Sequence, residues 1–111
     1  MLHPLTEWAA LRKADQLINE RLANNCFIEF EEGELNFSPT YRYNRGDRTF
    51  STEKMREPAW CDRVMWKAIP KGTIKQLGYG PCHALMTSDH SPVYANFCLH
   101  ADLPAVPHMY V

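Results

Sequence analysis

Two apolar runs enclose a short polar stretch, Ser88-Asp89-His90-Ser91-Pro92, and no other feature restricts the chain as strongly. Ala84-Leu85-Met86 precedes it, and Val93-Tyr94-Ala95-Asn96-Phe97-Cys98-Leu99 follows. Pro92 has no amide hydrogen and disfavours helical geometry at Ser91, so a helix does not run through His90. The spacing predicts a loop at the mouth of a strand, with Asp89 and His90 presented at its rim. Loop side chains held by a rigid strand are where reacting groups concentrate. A histidine there can move protons near neutral pH or donate hydrogen bonds to an anion.

The 111 residues fit one small domain, with residues 1–99 as the domain and 100–111, which carry Pro104 and Pro107, as an irregular tail. A net charge of −1 sets no global preference for nucleic acid or for a membrane surface. No apolar run approaches the ~20 residues of a membrane span. Cys26, Cys61, Cys82 and Cys98 form no Cys-x-x-Cys pair. That spacing argues against zinc and for reduced thiols, read as small buried hydrophobes in a cytoplasmic protein.

Thr6 to Asn24 is predicted as one helix capped by Thr6, with Trp8, Leu11, Ala14, Ile18 and Leu22 on one face. Asn24-Asn25 is its stop. Cys26–Phe30 and Leu35–Phe37 alternate as short strands about a turn at Gly33. The glutamates around that turn read as surface charge rather than metal ligands. Trp60–Ile69 and Thr73–Tyr79 are predicted to pair as a hairpin through Pro70-Lys71-Gly72, with Gly80-Pro81 ending the second strand. Asp47 is a turn residue. His3, His83, His100 and His108 are read as solvated.

Between Tyr41 and Arg56 the chain turns basic. Arg42, Arg45, Arg48, Lys54 and Arg56 face Asp47 and Glu53, a local balance of 5 − 2 = +3. Guanidinium forks, lysine point charges and tyrosine hydroxyls together suit phosphate.

Three stretches in order, Pro39-Thr40-Tyr41-Arg42-Tyr43, Pro58-Ala59-Trp60-Cys61-Asp62-Arg63 and Ser88-Asp89-His90-x-Pro92-Val93, resemble the inositol polyphosphate 5-phosphatases. Those enzymes belong to the exonuclease–endonuclease–phosphatase superfamily with its deoxyribonuclease I-like fold. The resemblance spans roughly Trp8 to Leu99. It implies an α+β chain corresponding to the C-terminal part of a two-sheet sandwich: a helix, then mainly antiparallel strands. It also implies magnesium-dependent removal of the 5-phosphate from inositol polyphosphates or phosphoinositides, with peripheral membrane contact and no nucleic acid partner. By the resemblance, Asp62 orients His90, His90 donates to the scissile phosphate, and Asp89 organises the phosphate and metal region. Tyr41, Arg42 and Lys54 would hold a 4-phosphate, with Arg56 nearby. Arg42 stands where many members carry lysine.

The family also uses an early asparagine, a metal-binding glutamate and a Gly-Asp-x-Asn motif whose aspartate activates water. No Gly-Asp-x-Asn occurs here; Gly46-Asp47-Arg48-Thr49 lacks the asparagine and stands in the wrong place. The expectation is a chain holding one side of the site, unable to hydrolyse by itself. The alternative is a non-catalytic remnant that binds head groups or a protein partner. A nuclease of the same superfamily is disfavoured, because Tyr41-Arg42 with Lys54 and Arg56 suits a compact phosphate pocket rather than a backbone-tracking stripe. For substrate choice, Ser91 and Trp66-Lys67 resemble the branch acting on 3,4,5-trisphosphorylated lipid. Glu53-Lys54-Met55-Arg56 resembles the branch acting on the 4,5-bisphosphate, so both stay open.

Overall fold

The computed structural model describes residues 4–52 and 57–100. Helix α1 (Pro4–Lys13) and helix α2 (Gln16–Leu22) come first, followed by strands β1 (Glu31–Glu32), β2 (Met65–Trp66), β3 (Ile74–Pro81) and β4 (Val93–Leu99). The single expected helix is therefore two. Asp15 breaks it: its backbone is extended (φ −63°, ψ 121°), and its carboxylate accepts a 2.9 Å hydrogen bond from the Ile18 amide. A short acid that satisfies an otherwise unpaired first-turn amide starts a new helix more favourably than it continues the old one. Thr6 lies inside α1, which opens on Pro4, a residue suited to the first helical position. Trp8, Leu11 and Ile18 pack on the core as the periodicity predicts. Leu22 does not, being 78% exposed.

Residues 26–30 are turns rather than a strand. Asn24, Phe27 and Glu29 have φ of 58°, 47° and 66°, which no strand accommodates. Asn24 nonetheless fits its expected role at the helix stop. Gly33 is not a turn residue. A Cβ built there would lie 1.7 Å from Gln76 Oε1 and 3.2 Å from the Tyr79 ring, so glycine permits this segment to approach β3 closely.

Strand pairing also differs from the expected hairpin. β2 pairs antiparallel with β1, and β3 pairs antiparallel with β4, with a register shift between Gln76 and Gly78. Trp60–Ile69 is strand only at Met65–Trp66, because the Val64 amide donates to Tyr79 Oη (3.0 Å) instead of to a ladder. Pro70–Gly72 does form a turn, with Gly72 at φ +91°. β3 continues through Gly80 to Pro81. At its end the Cys82 amide donates to Pro92 O at 2.7 Å, which closes residues 82–92 into the loop that carries Asp89 and His90. The β4 expectation and the loop at its mouth both match the structure.

Leu35, Phe37 and Trp60 form the buried core, joined by Trp8, Leu11, Ile18 and Tyr79. Trp60 donates its indole hydrogen to Phe37 O at 2.9 Å, which satisfies its polar edge inside the core. On β3 and β4, Leu77, Tyr94 and Leu99 are exposed. The four cysteines are free thiols; Cys61 is exposed and the others are half-buried, so none is the fully buried hydrophobe expected. Residues 53–56, with Lys54 and Arg56, and 101–111, with most of the expected tail, lie outside the described residues, as does His3. No described helix is long and apolar enough to cross a membrane.

Candidate active site

The motif Pro39–Tyr43 is the central segment of the site. Tyr41 and Ala59 exchange backbone hydrogen bonds of 3.1 and 2.9 Å on one side. On the other side the Ser91 amide donates to Thr40 O and the Tyr43 amide to Asp89 O, both at 2.8 Å. Three stretches far apart in sequence thus lie side by side. Pro39, Thr40 and Tyr43 are buried, and Tyr43 Oη donates back to Pro39 O. Burial raises the Tyr43 pKa against the opposing bond to Ser38 and the charge of Arg48, which keeps its hydroxyl a neutral donor. Downstream the chain folds over itself: the Ser51 amide donates to Arg42 O (2.8 Å) and the Asn44 amide to Thr49 O (2.9 Å). Asp47 closes this bend by accepting from the Thr49 amide and hydroxyl, as a turn residue should.

This frame brings Asp62 and His90 together. Asp62 Oδ2 lies 2.6 Å from His90 Nδ1, leaving Nε2 on the far side of the ring. Tyr41 packs against the imidazole, with ring centroids 4.7 Å apart. Arg42 Nε lies 3.4 Å from Asp89 Oδ2. Desolvation raises the Asp89 pKa, but its own backbone amide and the charges of His90, Arg45 and Arg42 outweigh it. The carboxyl is held below its ordinary range. Both groups reach the surface: the Asp62 side chain is 50% exposed and that of His90 40%. Tyr41, Arg42, Asp62, Asp89 and His90 therefore converge on one open surface.

Asp62 is aimed by its neighbour. The Arg63 side chain is buried and makes a fork to Glu32 (2.6 and 2.8 Å) and two bonds of 2.9 Å to Asp15. Although burial alone would lower its pKa, the bonds and charges of Glu32 and Asp15 raise it, so the guanidinium stays charged. Tyr79 also donates to Glu32 at 2.7 Å; burial and that bond push its pKa up to about 12. Arg63 turns inward and Asp62 outward, so an ion triad tying α2, β1 and residues 60–64 together fixes where Asp62 emerges.

Two further groups departed from their expected roles. His83 is not solvated: Nε2 lies 2.8 Å from Ser38 Oγ and Nδ1 2.8 Å from the buried Ser91 Oγ. Burial and the Arg48 charge lower its pKa, which favours a neutral ring. Glu32 is a buried partner of Arg63 rather than surface charge. A serine on each side of a chain crossing was the available signal for His83, but nothing in the local sequence places Ser38 near Ser91.

Among the described residues no three acids, imidazoles or thiolates converge as a metal site. Asp62 is engaged by His90 and Asp89 by Arg42. The described donor set does not by itself fit a divalent cation.

An antiparallel α+β framework here joins a basic, tyrosine-bearing bend to an aspartate-backed histidine. The sequence profile of Endonuclease/Exonuclease/phosphatase family 2 matches residues 2–96, and the chain belongs to that family. It is 42% identical over 99 positions to zebrafish phosphatidylinositol 3,4,5-trisphosphate 5-phosphatase 2A, covering 82% of this chain and 8% of the relative. Human phosphatidylinositol 3,4,5-trisphosphate 5-phosphatase 1 is also 42% identical over 99 positions, with the same coverage. Among solved structures it resembles the inositol polyphosphate 5-phosphatase domain of spsynaptojanin in complex with inositol (1,4)-bisphosphate and calcium. The TM-score is 0.73 with 33% identity, over 82% of this chain and 26% of that one. The motif resemblance to the 5-phosphatases is thus matched by overall sequence and fold, and the chain spans a small part of these relatives.

Proposed function

We propose that this chain supplies the substrate-reading and imidazole side of an inositol polyphosphate or phosphoinositide 5-phosphatase. The observation that carries the reading is the 2.6 Å contact between Asp62 and His90 Nδ1, beside Tyr41 and Arg42. A carboxylate on Nδ1 fixes the tautomer and favours the charged ring. The ring then offers Nε2–H to a non-bridging phosphate oxygen and stabilises charge that grows as the ester bond breaks. The family likeness and the inositol bisphosphate in the spsynaptojanin domain support the substrate class. The two phosphatases named above act, by their names, on the 3,4,5-trisphosphate, the branch that Ser91 and Trp66-Lys67 resemble, while Glu53-Lys54-Met55-Arg56 keeps the 4,5-bisphosphate open. Magnesium belongs to the proposal as the cofactor of the complete enzyme, with its principal ligand and the water-activating group contributed from outside these residues. Peripheral membrane contact and a cytoplasmic location belong to it as well.

The test is a hybrid enzyme in which this chain replaces the matching segment of the zebrafish relative. Lys54→Ala should selectively slow hydrolysis of substrates bearing a 4-phosphate and leave an analogue without it nearly unaffected. Arg42→Ala should do the same less cleanly, because Arg42 also neutralises Asp89. Equal loss on both substrates would assign these residues to the framework and overturn the 4-phosphate reading.

A further inference from the structure

We propose that Arg48 is the positioning residue that holds the Asp89–His90 loop against the substrate-reading bend. In charge terms Arg48 looks like one more phosphate ligand. Its geometry says otherwise. Nη2 reaches the carbonyl oxygens of Ser88 (2.8 Å), Asn44 (2.9 Å) and Met86 (3.3 Å). Nη1 reaches Ser91 Oγ (3.1 Å) and His90 O (3.5 Å), and Nε donates to Asp47 O. The guanidinium also lies over the Tyr43 ring, 4.8 Å from its centroid. Its donors are thus directed at oxygens on both sides of a single crossing, residues 44–47 and 86–91.

The loop needs such a clamp. Residues 84–88 are exposed and irregular, without ladder partners, and the neighbouring backbone links are Gly46 N to Met86 O (2.9 Å) and Tyr43 N to Asp89 O (2.8 Å). A planar fork with five fixed donors can hold several carbonyls at once, which a lysine cannot. Ser91 is the second anchor: its hydroxyl meets Arg48 on one side and His83 Nδ1 on the other, and its amide binds Thr40 O. The loop thereby delivers His90 to Asp62. Without the clamp the loop would sample other positions, and the half-exposed Asp62–His90 bond is too weak to restrain it alone.

The proposal rests on His90 as the phosphate-facing group, yet it is testable without turnover. The experiment follows the His90 ring nitrogens by NMR in Met1–Val111 at mildly alkaline pH, with amide exchange recorded alongside. The wild-type ring is expected as the Nδ1–H tautomer bound to Asp62. Arg48→Met should move it toward the Nε2–H form favoured in water and speed Ser91 amide exchange by about tenfold or more. The paired amides of β3 and β4 should stay protected. If Arg48→Met also exposes β3–β4, Arg48→Lys decides: it keeps charge and stem but loses the fork, and should still weaken the Nδ1–H signature. A lysine variant indistinguishable from wild type overturns the proposal. So does an Arg48→Met ring that stays Nδ1–H, or a wild-type ring that is already Nε2–H. Titration of wild-type chain with inositol 1,4-bisphosphate tests the substrate reading separately: absence of binding would count against that reading and leave the clamp standing.

Discussion

His90→Ala in the hybrid enzyme is expected to lower kcat by about 10²-fold or more, with a much smaller change in KM. The asymmetry follows from when the contact matters. A donor at Nε2 meets a phosphate oxygen in the bound substrate, but the bond strengthens as negative charge accumulates on the way to the transition state. Asp62→Asn should move in the same direction, because an amide can still occupy the position but no longer favours the charged ring. The check is steady-state kinetics on a soluble inositol trisphosphate. Near-normal kcat in His90→Ala would remove the imidazole from the mechanism.

Arg63→Met is expected to cost the chain about 3–5 kcal/mol of folding stability, the cost of leaving buried charges without their partner. Arg63, Glu32 and Asp15 side chains are only 6%, 3% and 9% exposed, so solvent cannot take over the lost contacts. Asp15 would keep only its bond from the Ile18 amide, and Glu32 its bond from Tyr79 and the longer 3.8 Å contact with Arg21. Small domains are stable by only about 5–15 kcal/mol, so much of the folded population is at stake. Urea unfolding followed by circular dichroism measures it. Adding Glu32→Gln and Asp15→Asn to Arg63→Met should recover part of the loss, since neutral amides tolerate the vacated site better. An unchanged urea midpoint in Arg63→Met would show that the triad is not what binds α2 and β1 to the segment carrying Asp62.

What the sequence revealed and what it concealed follow a physical division. The Ser88–Pro92 loop and β4 were legible because proline and the flanking apolar runs act locally. The split at Asp15 was not, because the unbroken apolar period masks a cap within it, and the Arg63 contact that also holds Asp15 comes from 48 residues away. The misplaced hairpin has the same origin. Trp60–Ile69 is rich in strand formers, but its pairing is set by Tyr79 and by β1, neither of which is adjacent in sequence. Motif resemblance named Asp62, His90, Tyr41 and Arg42, and the structure gathers them on one surface. Charge and residue type alone could not separate the role of Arg48 from that of the other basic residues between Tyr41 and Arg56, because what sets it apart is the direction of its side chain.

The most direct test of the central claim is a paired phosphate-release measurement with product identification. Met1–Val111 alone and the hybrid enzyme are each given inositol 1,4,5-trisphosphate and magnesium, with His90→Ala versions of both to expose contaminating activity. No release is expected from the chain alone, since no residue in it matches the water-activating aspartate. The hybrid is expected to remove the 5-phosphate and leave inositol 1,4-bisphosphate, in a reaction lost with His90→Ala. Robust release by the chain alone that disappears with His90→Ala would contradict the one-sided site, and a hybrid that removes no 5-phosphate would contradict the assignment itself.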